Sequence, residues 1–292
     1  MPGYHLPFFA AAANGLFARH GLDVDILDPP PGPDMEISHR VAAGGADFSL
    51  TGVTYHLFAH RDADRRLAAR FVSVLQPRAG LAAVVPATSD LWMPFDLGGR
   101  RLARSAASWL AAECVGALLA RGVDAPVVAP TPDGAACALR DGTVDMIATF
   151  VDTVGIGDRA GFPVRQIPVG LDVYGSGLIA GDHVPDGLAA RVATAVAEAF
   201  DHQRREPSAG VRSFCERFPG VHPGRAARSW TELAAYCFGS GPTGSMTRAG
   251  WQRTLDWLCG VHGLLVDAVD DVARWPATAG SPPSGDLQVS VT

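Results

Sequence analysis

The sequence predicts an α/β fold built as two lobes, with helices packed on mixed, mostly parallel sheets. Strand-like and helix-like stretches alternate from Tyr4 to Val85, the pattern of strands joined by crossover helices. The same alternation restarts near Pro94 and runs to Val169. At 292 residues, 48% of them hydrophobic, the chain is long enough and apolar enough to bury two cores.

The elements follow in order. Tyr4-His5 opens a polar loop, an apolar helix follows and is closed by Gly21, and a strand alternates around Asp23 and Asp25. Residues 28–34 (DPPPGPD) form a rigid turn. A short helix over 36–43 ends at Gly44-Gly45, and 46–51 is an alternating strand. Residues 53–60 read as helix, then two β-rich stretches, 68–76 and 81–85, flank Pro77-Arg78-Ala79-Gly80. In the second run, a turn at 94–103 leads to a helix over 109–121, a strand over 126–129, a helix over 133–140 and strands over 144–149 and 164–169. Gly170–Gly181 reads as a return crossing. From Pro185 to about Val266 the pattern is helical, broken at Pro207, Pro219, Pro223 and Pro242.

Composition excludes several functions. All 24 basic residues are arginine, so no side chain can form a Schiff base with a carbonyl or pyridoxal group. A net charge of -6 argues against a nucleic-acid surface. No apolar run approaches the roughly 18 residues of a membrane span. Nothing at Met1 reads as a signal peptide, which predicts a cytoplasmic protein for the chain as written. A truncated N-terminus would instead allow an extracytoplasmic or lipid-anchored protein. The five cysteines are widely spaced and suit reduced, packed thiols.

Several residues could carry chemistry. Ser105-Ala106-Ala107-Ser108 joins a strand end to a helix start, where free amides and a serine cap attract an anion or a ring acceptor. Tyr4, Trp109, Phe150 and Tyr174 could sandwich a flat ring, and Asp152 could accept from an exocyclic amine. His56 and His60 have metal-ligand spacing, but no third ligand accompanies them, so neither a metal nor a cofactor is called for. Gly239–Gly244 matches GxGxxG literally, yet it follows a helix and contains proline, which makes it a loop. Arg61, Arg65, Arg66 and Arg70 read as a solvated surface.

Five motifs occur in a telling order: the opening 4–27, Val41–Phe48 (VAAGGADF), Asp96–Arg101 (DLGGRR), Leu139–Asp145 (LRDGTVD) and Val173–Leu178 (VYGSGL). In this order they resemble the family containing transport proteins for thiamine-pyrimidine precursors and the eukaryotic hydroxymethylpyrimidine synthase, over roughly residues 3–220. The resemblance implies the type II periplasmic-binding architecture, with a ligand cleft between lobes that cross near 77–81 and 172–178. Lobe 1 would comprise residues 1–78 and, with C-terminal helices, 175–268; lobe 2 would comprise 79–174; 269–292 would be linker and tail. Carried over by position, the cleft would be lined by Tyr4, His5, Thr51, Gly52, Gln76, Arg78, Ser105, Ser108, Trp109, Phe150, Asp152 and Tyr174.

The family places a strand before its opening loop, and here that loop lies at Met1. After a Pro/Gly/Ser linker (277–285), the tail 287–291 has a strand pattern that could fill this slot, as in a circular permutant; the alternative is a disordered tail. The synthase chemistry does not carry over. Thr51 falls where its lysine would be, the crossing lacks its cysteines, and His56 is one position off. Two readings remain: a substrate-binding protein for a small heteroaromatic or amine-bearing metabolite, with an ABC permease as partner if exported, or a cytoplasmic enzyme on the same fold. For the enzyme, His5, His56 and Asp152 are the acid–base candidates.

Overall fold

Gly15, at φ 63°, breaks the N-terminal apolar stretch into two helices, α1 (Leu6–Ala13) and α2 (Leu16–Arg19), where the sequence predicts one. Side chains other than glycine are strained in this left-handed region. The computed structural model describes residues 2–28, 35–62, 66–103, 108–129, 134–150, 153–266, 268–276 and 287–291. The turn predicted at 28–34 therefore lies almost wholly outside the described residues. The first lobe continues with β1 (Leu22–Ile26), α3 (Met35–Ala42), β2 (Phe48–Gly52), α4 (Val53–Asp62) and β3 (Ala69–Gln76). The chain then builds the second lobe from β4 (Leu81–Pro86), β5 (Leu102–Ala103), α5 (Ser108–Leu119), β6 (Val127–Val128), α6 (Ala135–Arg140), β7 (Met146–Phe150), α7 (Thr153–Ala160) and β8 (Val164–Pro168).

It returns through β9 (Ser176–Gly181) to four helices, α8 (Asp186–Arg205), α9 (Val211–Arg217), α10 (Pro223–Cys237) and α11 (Arg248–His262), a short α12 (Val269–Val272) and a last strand, β10 (Leu287–Val291). The first sheet has the order β1-β10-β2-β9-β3, the second β6-β5-β7-β4-β8. Both are mixed, because β9 runs antiparallel to β2 and β3, and β4 runs antiparallel to β7 and β8. Half of the predicted return crossing, Gly170–Gly181, is thus strand. Gly177 allows it: a Cβ there would sit 2.2 Å from the Ser73 carbonyl oxygen.

The tail strand fills the slot between β1 and β2. β10 pairs in parallel with all of β1, from Leu22↔Leu287 to Ile26↔Val291, and meets β2 at Val291↔Phe48. Val289 and Val291 are 1% and 3% exposed and join the core beneath α1, α8 and α10. Burial of such side chains contributes about 1.5–3 kcal/mol each. Register is fixed by Asp47, whose carboxylate accepts from the Ser290 amide and hydroxyl, both at 2.8 Å.

Strand alternation sends neighbouring side chains to opposite faces. Leu178 packs into the core on one face of the first sheet, and Ile179 into that on the other, with Phe71, Leu57 and Trp251. The second sheet does the same through Ala83 and Val84. The segments between β3 and β4 and between β8 and β9 cross side by side: the Ala79 amide donates to the Val173 carbonyl at 2.7 Å and that of Gly175 to Gln76 at 2.9 Å.

A second tie lies away from these crossings. Glu113 of α5, 1% exposed, accepts from the Thr54 hydroxyl of α4 at 2.8 Å and faces His262 Nε2 of α11 at 3.0 Å. α11 and α5 approach closely at Gly116, where a Cβ would lie 3.0 Å from Val261. Among the described residues no helix is long and apolar enough to cross a membrane.

Candidate ligand-binding site

The carboxyl ends of β2, β3 and β7 and the start of β9 converge on a cleft of about 310 Å³ between the lobes. In open α/β sheets, ligands bind outside such strand ends. The first lobe contributes Tyr4, His5, Ile37, Leu50, Thr51, Gly52, Tyr55, Gln76, Gly175 and Ser176; the second contributes Leu110, Thr149 and Phe150. Its walls are mainly apolar and aromatic. Trp109 stands behind them, its ring 4.8 Å from Tyr55 and 5.3 Å from Phe150, centroid to centroid.

The polar groups are few and ordered around Gln76, which is 1% exposed. Its Oε1 accepts from the Tyr4 phenol and from the Ser176 hydroxyl, the latter at 3.3 Å. Burial pushes the Tyr4 phenol up in pKa, so it stays a donor at any ordinary pH. Gly175 makes the room: a Cβ there would meet Gln76 Oε1 at 2.3 Å. Two buried polar atoms of cleft residues have no protein partner, Gln76 Nε2 and Thr51 Oγ1.

His5 is exposed to the cleft and stacks at 6.4 Å on Phe214. Desolvation by the surrounding protein pushes its pKa down, an effect that solvent in the cleft opposes. No arginine lines the cleft among the described residues.

The sequence-predicted set divides by place. Tyr4, His5, Thr51, Gly52, Gln76 and Phe150 line the cleft, and Trp109 backs it. Arg78 and Tyr174 do not: they line another hollow, with the Gly239–Gly244 loop. Arg78 donates to the Ala235 carbonyl at 2.8 Å, and the Tyr174 hydroxyl accepts from the Thr247 amide at 3.0 Å. Ser105 and Asp152 lie outside the described residues, and Ser108 is described only as the first residue of α5.

His56 also stands apart from the cleft. It is fully buried, packed at 4.9 Å on Phe71, with Nδ1 3.1 Å from Ser38 Oγ. Burial lowers its pKa to about 3, with His60 adding to the effect. It is a core histidine, because α4 turns that face onto the sheet. Of the acid–base set, the described residues bring His5 alone to the cleft. His60 is engaged too, with Nε2 3.1 Å from the Asp271 carbonyl oxygen. Among the described residues no group of three or more metal-ligating side chains is found. Of the predicted arginine surface, Arg66 and Arg70 pair with Asp182 at 3.5 and 2.9 Å.

Ile37, Leu50, Tyr55, Leu110, Thr149, Gly175 and Ser176 line the cleft without belonging to the set that the sequence predicts. Tyr55 had a signal, three residues past the strand end at Gly52; Ile37 and Leu110 read as ordinary apolar helix positions.

The family model described as NMT1/THI5 like matches residues 3–157, more than half of the chain. The chain belongs to the NMT1/THI5-like family. No curated protein sequence matches it. Among solved structures, the periplasmic aliphatic sulphonate binding protein SsuA from Escherichia coli is similar, with a TM-score of 0.70 at 16% identity, over 95% of this chain and 91% of that one. The Candida albicans CA3427 gene product, described as having the generic periplasmic binding protein fold, aligns with a TM-score of 0.63 at 10% identity, over 97% and 96%. A mutant of DszB in complex with biphenyl-2-sulfinic acid gives 0.61 at 16% identity, over 94% of each chain. At these identities the likeness establishes the periplasmic-binding-protein fold, and the order and packing of the two sheets agree with it.

Proposed function

We propose that this NMT1/THI5-like protein is a substrate-binding protein that holds a small, flat heteroaromatic metabolite of the thiamine-pyrimidine kind between its lobes. The observation that carries this reading is the cleft itself, lined by Tyr4, Tyr55 and Phe150. Aromatic walls of this kind favour a planar ligand over an aliphatic one. The solved sulfonate binders of this fold are named for an anion, whereas the described wall here supplies an imidazole, hydroxyls and a carboxamide, and no arginine. In this role the partner of the loaded protein is an ABC permease, as for binding components of import systems.

Isothermal titration of the full chain with hydroxymethylpyrimidine and with the sulfonate MOPS tests the reading. Saturable binding of the pyrimidine, with a smaller radius of gyration in solution scattering, is the expected result. Binding of MOPS alone would overturn the heteroaromatic assignment.

A further inference from the structure

We propose that Gln76 sets ligand specificity in the cleft, donating from its Nε2 to a ring nitrogen or carbonyl oxygen in the plane of the ligand. This deepens the binding reading above and rests on it for the heteroaromatic class. In the structure the carboxamide turns its oxygen toward Tyr4 and Ser176. Tyr4 and Ser176 can both donate, and both donate to Oε1, which leaves the amino group of Gln76 as the unmatched side. Turned the other way, the amide would donate to the same two hydroxyls, which also accept, and would present Oε1 to the ligand, so that a preference for a ligand N–H would replace the one for a ring acceptor.

Nε2 is buried with no protein acceptor, and a buried donor without a partner is costly, so few native structures keep one without a reason. Thr51 Oγ1, of a residue 5% exposed in the same wall, is the second such atom. Both belong to strand ends joined to β9, which pairs Thr51 with Gly177 and Gln76 with Ser176. A ligand acceptor satisfies Nε2, and Thr51 adds a hydroxyl that adapts to donor or acceptor. Tyr4 is a positioning residue here: it orients the amide.

Pyridylmethanol and benzyl alcohol, similar in shape, differ by one ring acceptor. Ligand-observed NMR titrations of both, with hydroxymethylpyrimidine and MOPS alongside, compare the wild type with Gln76→Met and Tyr4→Phe. The wild type is expected to prefer the pyridine by about tenfold, the scale of one good hydrogen bond. Gln76→Met is expected to abolish that preference. Tyr4→Phe, which removes one hydroxyl and keeps the ring, is expected to reduce the preference because the amide can turn. It decides the matter even if Gln76→Met fails to fold.

A ring-nitrogen preference that persists in both variants overturns the assignment to Gln76 and leaves the binding reading standing. Gln76-dependent binding of MOPS with no binding of either heteroaromatic overturns the heteroaromatic reading and keeps the acceptor role of Gln76. A wild type that binds none of the four overturns both.

Discussion

Ser290 grips Asp47 with two hydrogen bonds of 2.8 Å, from its amide and its hydroxyl, and so locks the last strand of the chain to the segment that begins β2. The Asp47 amide answers by donating to the Ser290 carbonyl at 3.1 Å and hydroxyl at 3.0 Å. Two segments 243 positions apart are thus keyed to each other by one carboxylate and one hydroxyl.

Replacing Asp47 with Asn is expected to destabilise the fold by about 1–2 kcal/mol, the scale of hydrogen bonds to a partly exposed charge. Burial alone would raise the Asp47 pKa, but the Ser290 donors and His183 outweigh it and hold it below the usual carboxylate range. The native state therefore binds that proton less readily than the unfolded chain. This contribution is full above about pH 4 and is lost as pH falls through the depressed native pKa. Urea denaturation at pH 7 and pH 3 checks it: Asp47→Asn should lose most of its penalty at the lower pH.

His56 makes a separate acid dependence. Its pKa falls from 6.5 to about 3 on folding, chiefly through burial. The unfolded chain takes up the proton first, so stability is whole above 6.5 and erodes as pH drops from there toward 3, by up to about 1.4 kcal/mol per pH unit. A His56→Phe variant should show a flatter stability profile between pH 6 and pH 4 in the same measurement. Equal slopes in variant and wild type would refute the assignment.

Glu113 is expected to behave as a buried, doubly bonded carboxylate. Glu113→Ala leaves both His262 and Thr54 without their partner and should cost about 2–4 kcal/mol, the scale of two buried groups left unpaired, whereas Glu113→Gln, which still accepts a hydrogen bond, should cost less. Chemical denaturation reads the stability. Solution scattering of Glu113→Gln reads the lobe angle, because the carboxylate ties α5 of the second lobe to α4 of the first.

The thiols should divide into two groups. Cys114 and Cys237 are buried, and burial raises both pKa values, that of Cys114 to about 12; Cys137, Cys215 and Cys259 are only partly covered. Thiolates are the reactive form. A thiol reagent on the native protein should modify at most the latter three, with the other two reacting only after unfolding. Rapid labelling of Cys114 or Cys237 would contradict their packing.

The sequence determined the local grammar. Period-two alternation in 46–51 and 164–169, the glycine closing the first helical stretch and the proline breaks beyond Pro185 are properties of neighbouring residues, and they carried the two-lobed α/β expectation. The motif order carried the family, and with it Tyr4, His5, Thr51, Gly52, Gln76 and Phe150 as cleft residues by place. Even the tail was legible as a strand, since Leu287, Val289 and Val291 alternate with polar residues; whether it filled the slot was not.

Only the tertiary structure decided the rest, because it depends on which groups meet across long separations. β10 takes its place through Asp47 and the core it completes. His56 is a core residue because the face of α4 that carries it lies against Phe71, and Tyr174 leaves the cleft because Thr247 captures its hydroxyl. Gln76 finds its partners in Tyr4, 72 positions away, and Ser176, 100 positions away. A side chain's hydrogen-bond partners are decided by the groups that the fold brings to it, and its neighbours in sequence do not name them.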